Sequence, residues 1–312
     1  MSAPRIVIVG AGPAGLACAR ALLRGGVTPL ILEKSRGIGG RVATRRTDGL
    51  QFDHGTPALV PGDDATLAAL LDEARAAARA APWPGLPGAW VGTPGMTDLL
   101  RPLAEGLDIR FSTEVTALRR DGTGWRVTVH GADGPGEVCA ARVVLAIPAP
   151  QALRLADEAE TVFRDALARV AFAPCYTLMI AFADRPGWPE HMHPGPPFDL
   201  VLRDASKPGR PGAETWVAHA DADWSAAHLE RERPDAAAAL QDALAATLGP
   251  LPPVIRAIGH RWRHARTAAP LGAPCAVSNG GALLAGGDWA TGRDVTSALD
   301  SGAAMATRLM AD

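Results

Sequence analysis

The first 35 residues alternate short apolar runs with one longer amphipathic segment. Arg5 to Val9 is rich in β-branched residues and is bounded by Gly10, which predicts a buried parallel strand. Ala14 to Arg24 carries helix-forming residues, and Gly25-Gly26 follows it as a stop signal. Thr28 to Leu32 predicts a second strand. The order of strand, helix and strand predicts a βαβ unit.

The remainder of the chain continues to mix helical and strand-like segments, which favours an α/β fold. The predicted elements are a helix at Gly95 to Glu105, strands at Ile109 to Ser112, Tyr176 to Ala183 and Thr215 to Ala220, and a helix at Pro234 to Leu248.

The turn between the first strand and helix has the spacing GxGxxG. Its residues are Gly10, Gly12, Pro13, Ala14 and Gly15. The first glycine permits the tight turn, the second lets the backbone approach a pyrophosphate, and the third lets helix and strand pack closely. The helix N-terminus offers free N–H groups to phosphates. Glu33 ends the second strand, where a carboxylate accepts from ribose hydroxyls and repels a 2′-phosphate, so the turn predicts a dinucleotide other than NADP.

The segment from Glu33 to Arg46 distinguishes between NAD and FAD. An NAD dehydrogenase normally continues into another helix here, whereas this chain has a Gly-rich loop. The loop resembles that of the flavin amine oxidase superfamily, whose members carry a GGR sequence after the acidic residue. The resemblance implies FAD and a set of loop residues that contact it. These are Lys34, Arg36, Gly39, Gly40 and Arg41, with Arg41 covering the pyrophosphate and ribityl region.

Three later segments resemble the same superfamily in the same order. The sequence FDHGTP, at Phe52 to Pro57, matches the approach to the flavin ring and implies contacts from His54, Gly55 and Thr56. Glu114 to Leu118 resembles a strand whose backbone meets the adenine near Val115. Ala141 to Leu153 resembles the strand and proline turn that leave the cofactor domain.

The C-terminal segment supplies the last match. It reads as a strand, then Gly286-Gly287-Asp288, then a helix from about Val295. By resemblance, Gly287 and Asp288 lie at the ribityl chain, and Val295 and Thr296 lie under the edge of the flavin that gains negative charge on reduction. A helix N-terminus carries about half a positive charge and would stabilise that edge. Since no cysteine is beside these loops, the FAD is expected to be non-covalent.

The loop from Lys34 to Arg46, the DHG turn and the segments Thr215 to Glu230 and His260 to Ala265 resemble the renalase-like branch of the superfamily. That resemblance implies a dihydronicotinamide isomer as the hydride donor and O2, reduced to H2O2, as the electron acceptor. The chain departs from the branch at Thr56 to Leu59, where aromatic residues are expected, and at His264, where a tyrosine is expected.

An ordinary amine oxidase encloses its substrate between paired aromatic side chains, and many place a lysine near the flavin. This chain has one tyrosine, Tyr176, and only Lys207 lies in the substrate region. The candidate pocket residues are His54, Trp289, Arg261, Arg263 and Tyr176, and none is assigned as an acid or base. Arg261 or Arg263 would meet an anionic group, or both belong to a solvated strand. Two alternatives stay open: an amine or polyene oxidoreductase with a remodelled pocket, and a non-catalytic flavin-binding accessory protein.

The expected architecture is a discontinuous Rossmann-type FAD-binding domain with a second, mixed α+β substrate domain, as in flavoproteins resembling p-hydroxybenzoate hydroxylase and amine oxidases. The FAD-binding domain is expected at 1–60, 88–150 and 270–312, and the substrate domain at 61–87 and 151–269, with ligands between them.

Composition excludes several partners. The net charge of −2 favours neither nucleic acid nor an anionic membrane surface, and no apolar run reaches the roughly 18 residues of a membrane helix. The four cysteines are far apart, and His191 and His193 lie in a proline-rich loop without further ligand spacing, so no metal is expected. The N-terminus enters a strand at once, and a cytoplasmic protein with a small-molecule substrate is expected.

Overall fold

The computed structural model describes residues 6–132, 134–156 and 160–311. Its strands are β1 (Ile6–Val9), β2 (Leu30–Leu32), β3 (Thr44–Thr47), β4 (Leu50–Asp53), β5 (Ala80–Pro82), β6 (Trp90–Gly92), β7 (Asp108–Arg110), β8 (Glu114–Asp121), β9 (Gly124–Gly131), β10 (Gly134–Ala140), β11 (Arg142–Leu145), β12 (Ala171–Phe182), β13 (His191–Met192), β14 (Phe198–Arg203), β15 (Glu214–Ala220), β16 (Val254–Ala269), β17 (Ala276–Val277) and β18 (Leu283–Ala285). Its α-helices are α1 (Pro13–Arg24), α2 (Ala65–Ala76), α3 (Arg101–Ala104), α4 (Ala149–Leu155), α5 (Thr161–Ala168), α6 (Ala222–Ala227), α7 (Arg233–Leu248) and α8 (Val295–Met310).

The chain divides into two compact units. Unit 1 comprises Met1–Gly40, Pro102–Ala171 and Thr267–Asp312, and unit 2 comprises Arg41–Arg101 and Phe172–Arg266. These boundaries differ from the expected domains in that 41–60 and 88–101 fall in unit 2, whereas 151–171 and 267–269 fall in unit 1. The chain changes unit directly between Gly40 and Arg41, inside the GGR sequence.

Unit 1 is built on a six-stranded sheet in the order β17-β18-β11-β1-β2-β7. The strands from β18 to β7 are mutually parallel, and β17 is antiparallel to β18. All four residues of β1 are buried, as a strand covered on both faces requires. The βαβ prediction is confirmed, since β1 and β2 pair in parallel with Ile8 opposite Ile31. A second sheet, β10-β9-β8, is antiparallel.

Helix α8 packs against α1 through a glycine. A Cβ at Gly302 would lie 2.3 Å from the Ala14 carbonyl oxygen and 2.8 Å from the Ala17 Cβ. The absence of a side chain at Gly302 therefore allows the two backbones to approach, and α8 supports the first turn of α1.

We expect Gly302→Ala to lower the free energy of unfolding by about 1–3 kcal/mol because the added methyl group overlaps the α1 backbone. The sign is informative, since Gly→Ala inside an exposed helix normally stabilises by about 0.5–1 kcal/mol. Urea unfolding would measure the change, with Gly187→Ala as control because a Cβ there meets nothing within 4 Å. Equal stability of Gly302→Ala and the wild type would contradict the close packing.

Unit 2 contains a five-stranded sheet in the order β13-β14-β15-β12-β16. Strands β14, β15 and β12 pair antiparallel, with Thr177 of β12 opposite His219 of β15. The core between this sheet and α7 is apolar and contains Tyr176, Ile180, Phe182, Phe198, Trp216 and Leu240. Two small antiparallel sheets, β3-β4 and β5-β6, belong to the same unit.

One predicted element is wrong. Gly95 to Glu105 is not a single helix but a 3₁₀ turn at Met96–Leu100 followed by the short helix α3. The Asp98 N–H donates to the Gly95 carbonyl in the tight 3₁₀ pattern, and the Met96 N–H donates to the Asp53 carboxylate. The Met96 N–H is at the start of the element, where a helical N–H has no partner within the helix, so the Asp53 carboxylate caps this turn.

Candidate active site

The glycine turn of unit 1 has the geometry that the sequence predicts. Gly10 has φ +103°, in the left-handed region, and a Cβ there would lie 2.6 Å from the Ala146 carbonyl oxygen. A Cβ at Gly15 would lie 2.0 Å from the Gly10 carbonyl oxygen. Neither position can hold a larger residue without moving the backbone.

Gly12 is different, because its missing side chain leaves open space. A Cβ there would meet only the Gly40 Cα, at 4.0 Å, and the Gly39 N–H donates to the Ala11 carbonyl oxygen at 2.9 Å. The GG loop thus lies opposite the GxGxxG turn, with two glycines facing each other. Helix α1 begins beside this space with Pro13 in its first turn and no side-chain cap. Its first N–H groups are suited to phosphate oxygens.

Glu33 lies at the end of β2 with a buried carboxylate. One oxygen accepts from the Ala11 N–H and the other from the Ser35 N–H, each at 2.7 Å. A carboxylate oxygen has two lone-pair sites, so both can also accept from ribose hydroxyls. The neighbouring Lys34 and Arg36 are exposed.

The expected adenine contact lies close to Glu33 in the fold. The Thr113 N–H donates to the Glu33 carbonyl oxygen, and β8 begins at the next residue. Pairing between β8 and β9 shifts register between Val115 and Ala117. Val115 itself pairs with Val129 and the residue left out of the ladder is Thr116, so the contact between Val115 and adenine stays a prediction.

The C-terminal candidates lie between β18 and α8. Asp288 is buried, and the Thr267 hydroxyl donates to its carboxylate at 3.4 Å. The Gly287 N–H donates to the Ser301 hydroxyl. Helix α8 begins at Val295, followed by Thr296, and the Asp294 carboxylate caps it through the Ser297 N–H. The Trp289 indole is fully buried and donates to the Ile147 carbonyl oxygen.

These residues fit FAD. Any side chain at Gly12 would fill the space beside Gly40, and the N-terminus of α1 lacks a side-chain cap. The Glu33 carboxylate can accept further hydrogen bonds. The turn would hold the diphosphate, Glu33 the ribose, and Asp288 with the start of α8 the flavin end.

Unit 2 ties the expected arginine to the DHG turn. The Arg41 carbonyl oxygen accepts from the Thr56 N–H at 2.8 Å, and a Cβ at Gly55 would lie 2.0 Å from that oxygen. The Arg41 guanidinium donates to the Ala265 carbonyl oxygen at 3.2 Å and lies 5.9 Å from the Phe172 ring. Arg41 therefore has partners within unit 2, and its expected cover over the pyrophosphate stays a prediction.

Asp53, the residue before His54, belongs to a group of four buried charges. The Lys207 Nζ lies 3.1 Å from Asp53 Oδ2 and 2.7 Å from Asp204 Oδ1, and Arg210 also pairs with Asp53. All four side chains are at most 1% exposed. We call Asp53, Asp204, Lys207 and Arg210 the ion cluster.

The two carboxylates of the ion cluster have shifted pKa values in opposite directions. Burial raises the pKa of Asp53, but Lys207, Arg210 and hydrogen bonds from Met96 and Thr44 outweigh it and hold that pKa well below its usual range. Burial raises the pKa of Asp204 to about 6, and the adjacent Asp53 carboxylate contributes to the rise. Asp53 is therefore the carboxylate that carries the negative charge at every moderate pH.

His54 belongs to a second buried group, which we call the histidine cluster: His54, His219, His260 and Trp262. The His54 ring stacks on Trp262 with centroids 5.1 Å apart and meets His260 edge-on at 4.7 Å. The His54 carbonyl oxygen accepts from the Trp262 indole at 3.0 Å and from the Thr177 hydroxyl at 3.2 Å. Strand pairing of Thr177 with His219 brings the third imidazole to the same carbonyl.

The three imidazoles are neutral at physiological pH. Burial is the main cause, and it lowers the pKa of His54 to about 4 and the pKa values of His219 and His260 to about 3. Nearby cations lower the same pKa values further: Arg45 acts on His54 and His260, and Arg266 acts on His219.

We expect the stability of the protein to fall as the pH falls from 6.5 to 4.5. The unfolded chain binds protons at these histidines below about pH 6.5, whereas the folded chain does not. Unfolding is therefore accompanied by the uptake of as many as three protons. Asp204 acts in the opposite direction, because the folded state protonates it first. Unfolding therefore takes up a net of at most about two protons, and the free energy of unfolding changes by up to about 3 kcal/mol per pH unit.

Urea unfolding of the holoprotein at four pH values would measure this slope. His219→Gln should reduce the number of protons taken up on unfolding by as much as one and so make the pH dependence of the free energy of unfolding shallower. His130→Gln, at an exposed position, should leave that pH dependence unchanged. A flat profile between pH 6.5 and 4.5 would contradict the assigned neutral state.

The other pocket candidates are placed differently. Tyr176 lies in the apolar core of unit 2, and its hydroxyl donates to the Arg231 carbonyl oxygen at 2.7 Å. Arg263 makes a two-bond ion pair with Glu230, and Arg261 donates to the Leu229 carbonyl oxygen. Core placement does not favour Tyr176 as a pocket residue, and both arginines already have partners. Among the described residues, no group of three or more His, Cys, Asp or Glu side chains is arranged to hold a metal.

Sequence reasoning missed Asp204, Arg210 and His219. Lys207 is predicted from the sequence only as the single lysine in the substrate region, with no carboxylate partner assigned to it. The loop SKPGR, at Ser206 to Arg210, and the DHG turn are both evident in the sequence, but no local pattern predicts that they contact each other.

A Rossmann-type unit with a glycine turn and a buried carboxylate at the end of the second strand is typical of dinucleotide-binding proteins, a class that includes the FAD-dependent oxidoreductases. The family model described as "Flavin containing amine oxidoreductase" matches residues 85–310, and the one described as "NAD(P)-binding Rossmann-like domain" matches residues 8–74. The chain belongs to the flavin containing amine oxidoreductase family, and its cofactor is FAD.

Similar proteins agree with this assignment. Putrescine oxidase from Kocuria rosea is 43% identical over 68 residues, a match that spans 22% of this chain and only 14% of that protein. A putative flavin-containing monoamine oxidase from Mycobacterium tuberculosis is 46% identical over 63 residues, again 14% of its length.

The fold is shared over the full length with solved structures of low identity. A putative protoporphyrinogen oxidase from Exiguobacterium sp. has a TM-score of 0.75 at 15% identity, covering 99% of both chains. Cyclohexylamine oxidase from Brevibacterium oxydans has a TM-score of 0.73 at 13% identity, covering 98% of both. In the described residues, no helix is long and apolar enough to cross a membrane.

Proposed function

We propose that this FAD-dependent oxidoreductase is of the renalase-like branch and takes a hydride from an uncharged dihydropyridine, best represented by an isomer of dihydronicotinamide. Loss of a hydride makes such a ring aromatic, so no proton has to be removed from it. FAD, when bound, supplies the hydride acceptor and returns the electrons to O2, giving H2O2.

The state of Lys207 is the observation that carries this proposal. The chain has two lysines, and the one in unit 2 is fully buried between Asp53 and Asp204. A lysine committed to two carboxylates is not free to hold a water or to accept a proton. The single tyrosine lies in the core, so a cage of two tyrosines cannot form.

The proposed duties of the chain's residues are binding and orientation. The Gly10–Gly15 turn and Gly40 hold the diphosphate, and Glu33 holds the ribose. The N-terminus of α8 stabilises negative charge at the flavin end. The neutral histidine cluster neither donates nor removes a proton readily at physiological pH, which suits a reaction without acid–base catalysis.

Anaerobic stopped-flow mixing tests the proposal. The oxidised flavin band near 450 nm should bleach within seconds on addition of 2- or 6-dihydronicotinamide nucleotides, and one H2O2 should form per turnover in air. Ordinary NADH carries the same carboxamide ring but donates its hydride from a different ring carbon. It is therefore the matched control for the position of the hydride. Failure of every dihydropyridine to bleach the flavin, with dithionite still effective, would reject this substrate class.

Amine oxidation is the second candidate, and the similarity to putrescine oxidase and cyclohexylamine oxidase favours it. Anaerobic bleaching by a panel of primary amines would support it. The same panel scored for H2O2 separates the two candidates, because a dihydropyridine oxidase leaves all amines unreacted.

A further inference from the structure

Ser112 has a backbone conformation that serine rarely adopts. Its φ is +50°, in the left-handed region that glycine adopts readily and asparagine more often than most residues, and the residue is exposed. Among the described residues, the other non-glycine positions with a positive φ are Asp48 and Ala78, and both belong to unit 2. Residues held in rarely populated conformations cluster at functional sites, so the surroundings of Ser112 in unit 1 bear on function.

The left-handed residue interrupts the pairing of β2 with β7. The strands pair in parallel as far as Leu32 and Arg110, and the Glu33 N–H donates to the Arg110 carbonyl oxygen at 2.9 Å. Evenly spaced parallel bonds would next join the Ser112 N–H to the Glu33 carbonyl oxygen. The Thr113 N–H makes that bond instead, at 2.9 Å. The segment after β7 therefore contains one extra residue, as in a β-bulge.

The displaced Ser112 N–H binds the turn that carries the Glu33 carboxylate. It donates to the Ser35 carbonyl oxygen at 2.9 Å, and the Ser35 N–H donates to Glu33 Oε1 at 2.7 Å. Because Thr113 holds the Glu33 carbonyl oxygen, the bulge fixes the backbone at both Glu33 and Ser35. The other carboxylate oxygen, Glu33 Oε2, accepts from the Ala11 N–H at 2.7 Å. The bulge thus fixes one of the two oxygens of the carboxylate.

A carboxylate with a fixed orientation discriminates between sugars better than a mobile one. Each Glu33 oxygen accepts one N–H, which leaves each with a lone-pair site of set direction for a hydroxyl group. A hydrogen bond to a charged group is worth about tenfold to a hundredfold in affinity, and this gain is smaller when the group must first be ordered. Release of the Ser35 peptide would therefore lower discrimination although Glu33 is still present.

We propose that Ser112 is a positioning residue for cofactor recognition, whose left-handed backbone orients the Glu33 carboxylate toward the 2′-hydroxyl of the adenosine ribose. The inference rests on the proposed function, in which Glu33 holds the ribose of FAD. In this role Ser112 acts through the Ser35 peptide, so the backbone conformation matters and the serine hydroxyl does not.

Titration of the full-length apoprotein with FAD and with its 2′-deoxyadenosine analogue, followed by flavin fluorescence, tests this role. The ratio of the two dissociation constants reports the 2′-hydroxyl contact, and the wild type should prefer FAD at least about tenfold. Ser112→Val should reduce this preference to less than about threefold, because a β-branched residue does not tolerate the left-handed conformation. Ser112→Asn should retain the wild-type preference, because asparagine tolerates that conformation.

Ala78→Val is the matched control for backbone strain. Ala78 is also exposed and has φ +55°, but it belongs to unit 2. The control should lower the melting temperature and leave the preference for FAD at the wild-type value. An equal loss of preference in both valine variants would reduce the effect to general destabilisation and overturn the inference. If Ser112→Val does not fold, Ser112→Thr decides, since it keeps the hydroxyl, adds the β-branch and should also lower the preference.

Failure of this inference is distinguishable from failure of the proposed function. A folded Ser112→Val with the wild-type preference, together with a Glu33→Gln variant that has lost it, overturns the role of Ser112 and leaves Glu33 at the ribose. No preference for FAD in the wild type overturns both the ribose role of Glu33 and this inference. Neither titration requires a hydride donor, so flavin bleaching decides the dihydropyridine proposal independently.

Discussion

Gly12→Ala is expected to yield a folded protein that has lost its flavin. Gly12 has φ −80° and ψ −178°, which alanine adopts without strain, and its Cβ would meet only the Gly40 Cα at 4.0 Å. The same methyl group occupies the space through which a diphosphate must approach the start of α1. FAD affinity should fall on the order of a hundredfold, while the free energy of unfolding of the apoprotein changes by less than about 0.5 kcal/mol.

The ratio of absorbance at 450 nm to that at 280 nm measures retained flavin, and titration of the apoprotein with FAD gives the affinity. Gly37→Ala is the matched control, because it lies in the same loop region and a Cβ there meets nothing within 4 Å. Gly15→Ala should differ from both, since its Cβ overlaps the Gly10 carbonyl oxygen and destabilises the fold itself. Wild-type flavin content in Gly12→Ala would show that the cofactor does not approach this backbone.

The cofactor residues of unit 1 were predictable because they are close in sequence. Gly10, Gly12 and Gly15 lie within one turn, and Glu33 follows one helix later, so their geometry depends on a single βαβ unit. Local pattern also predicted α7, which begins at Arg233 rather than Pro234. Local pattern did not predict that the segment after Gly95 forms a 3₁₀ helix followed by the short helix α3.

The buried polar clusters of unit 2 were not predictable, because their members meet only through strand pairing and loop return. Asp53 and Lys207 are 154 positions apart, and His219 reaches His54 because β15 pairs with β12. A period-2 pattern indicates that alternate residues share a face but does not identify the partner strand. Histidines at 54, 219 and 260 therefore had no common signal in the sequence.

Asp53→Asn is expected to cause the largest loss of stability among single substitutions in unit 2. It leaves Lys207 and Arg210 buried with only Asp204 to compensate them. Breaking a buried pair on one side typically costs about 3–5 kcal/mol, a large share of the roughly 5–15 kcal/mol that holds a domain folded. The melting temperature should fall by roughly 10 °C.

The effect of unbalanced buried charge on stability can be distinguished from the effect of losing a carboxylate as such. Asp48→Asn removes a carboxylate paired with Arg256 where both side chains are more than half exposed, and it should cost less than about 0.5 kcal/mol. The double variant Asp53→Asn with Lys207→Met restores charge balance between Asp204 and Arg210 and should recover a substantial part of the loss. A double-mutant cycle in urea would give the coupling.

The outcome also bears on function, because Asp53 directly precedes His54. If charge balance alone sets stability, the double variant regains stability but holds His54 less firmly, since the Lys207 contact is gone. Its flavin content should then match the wild type. A double variant that is no more stable than Asp53→Asn would show that the ion cluster contributes through geometry rather than through balanced charge.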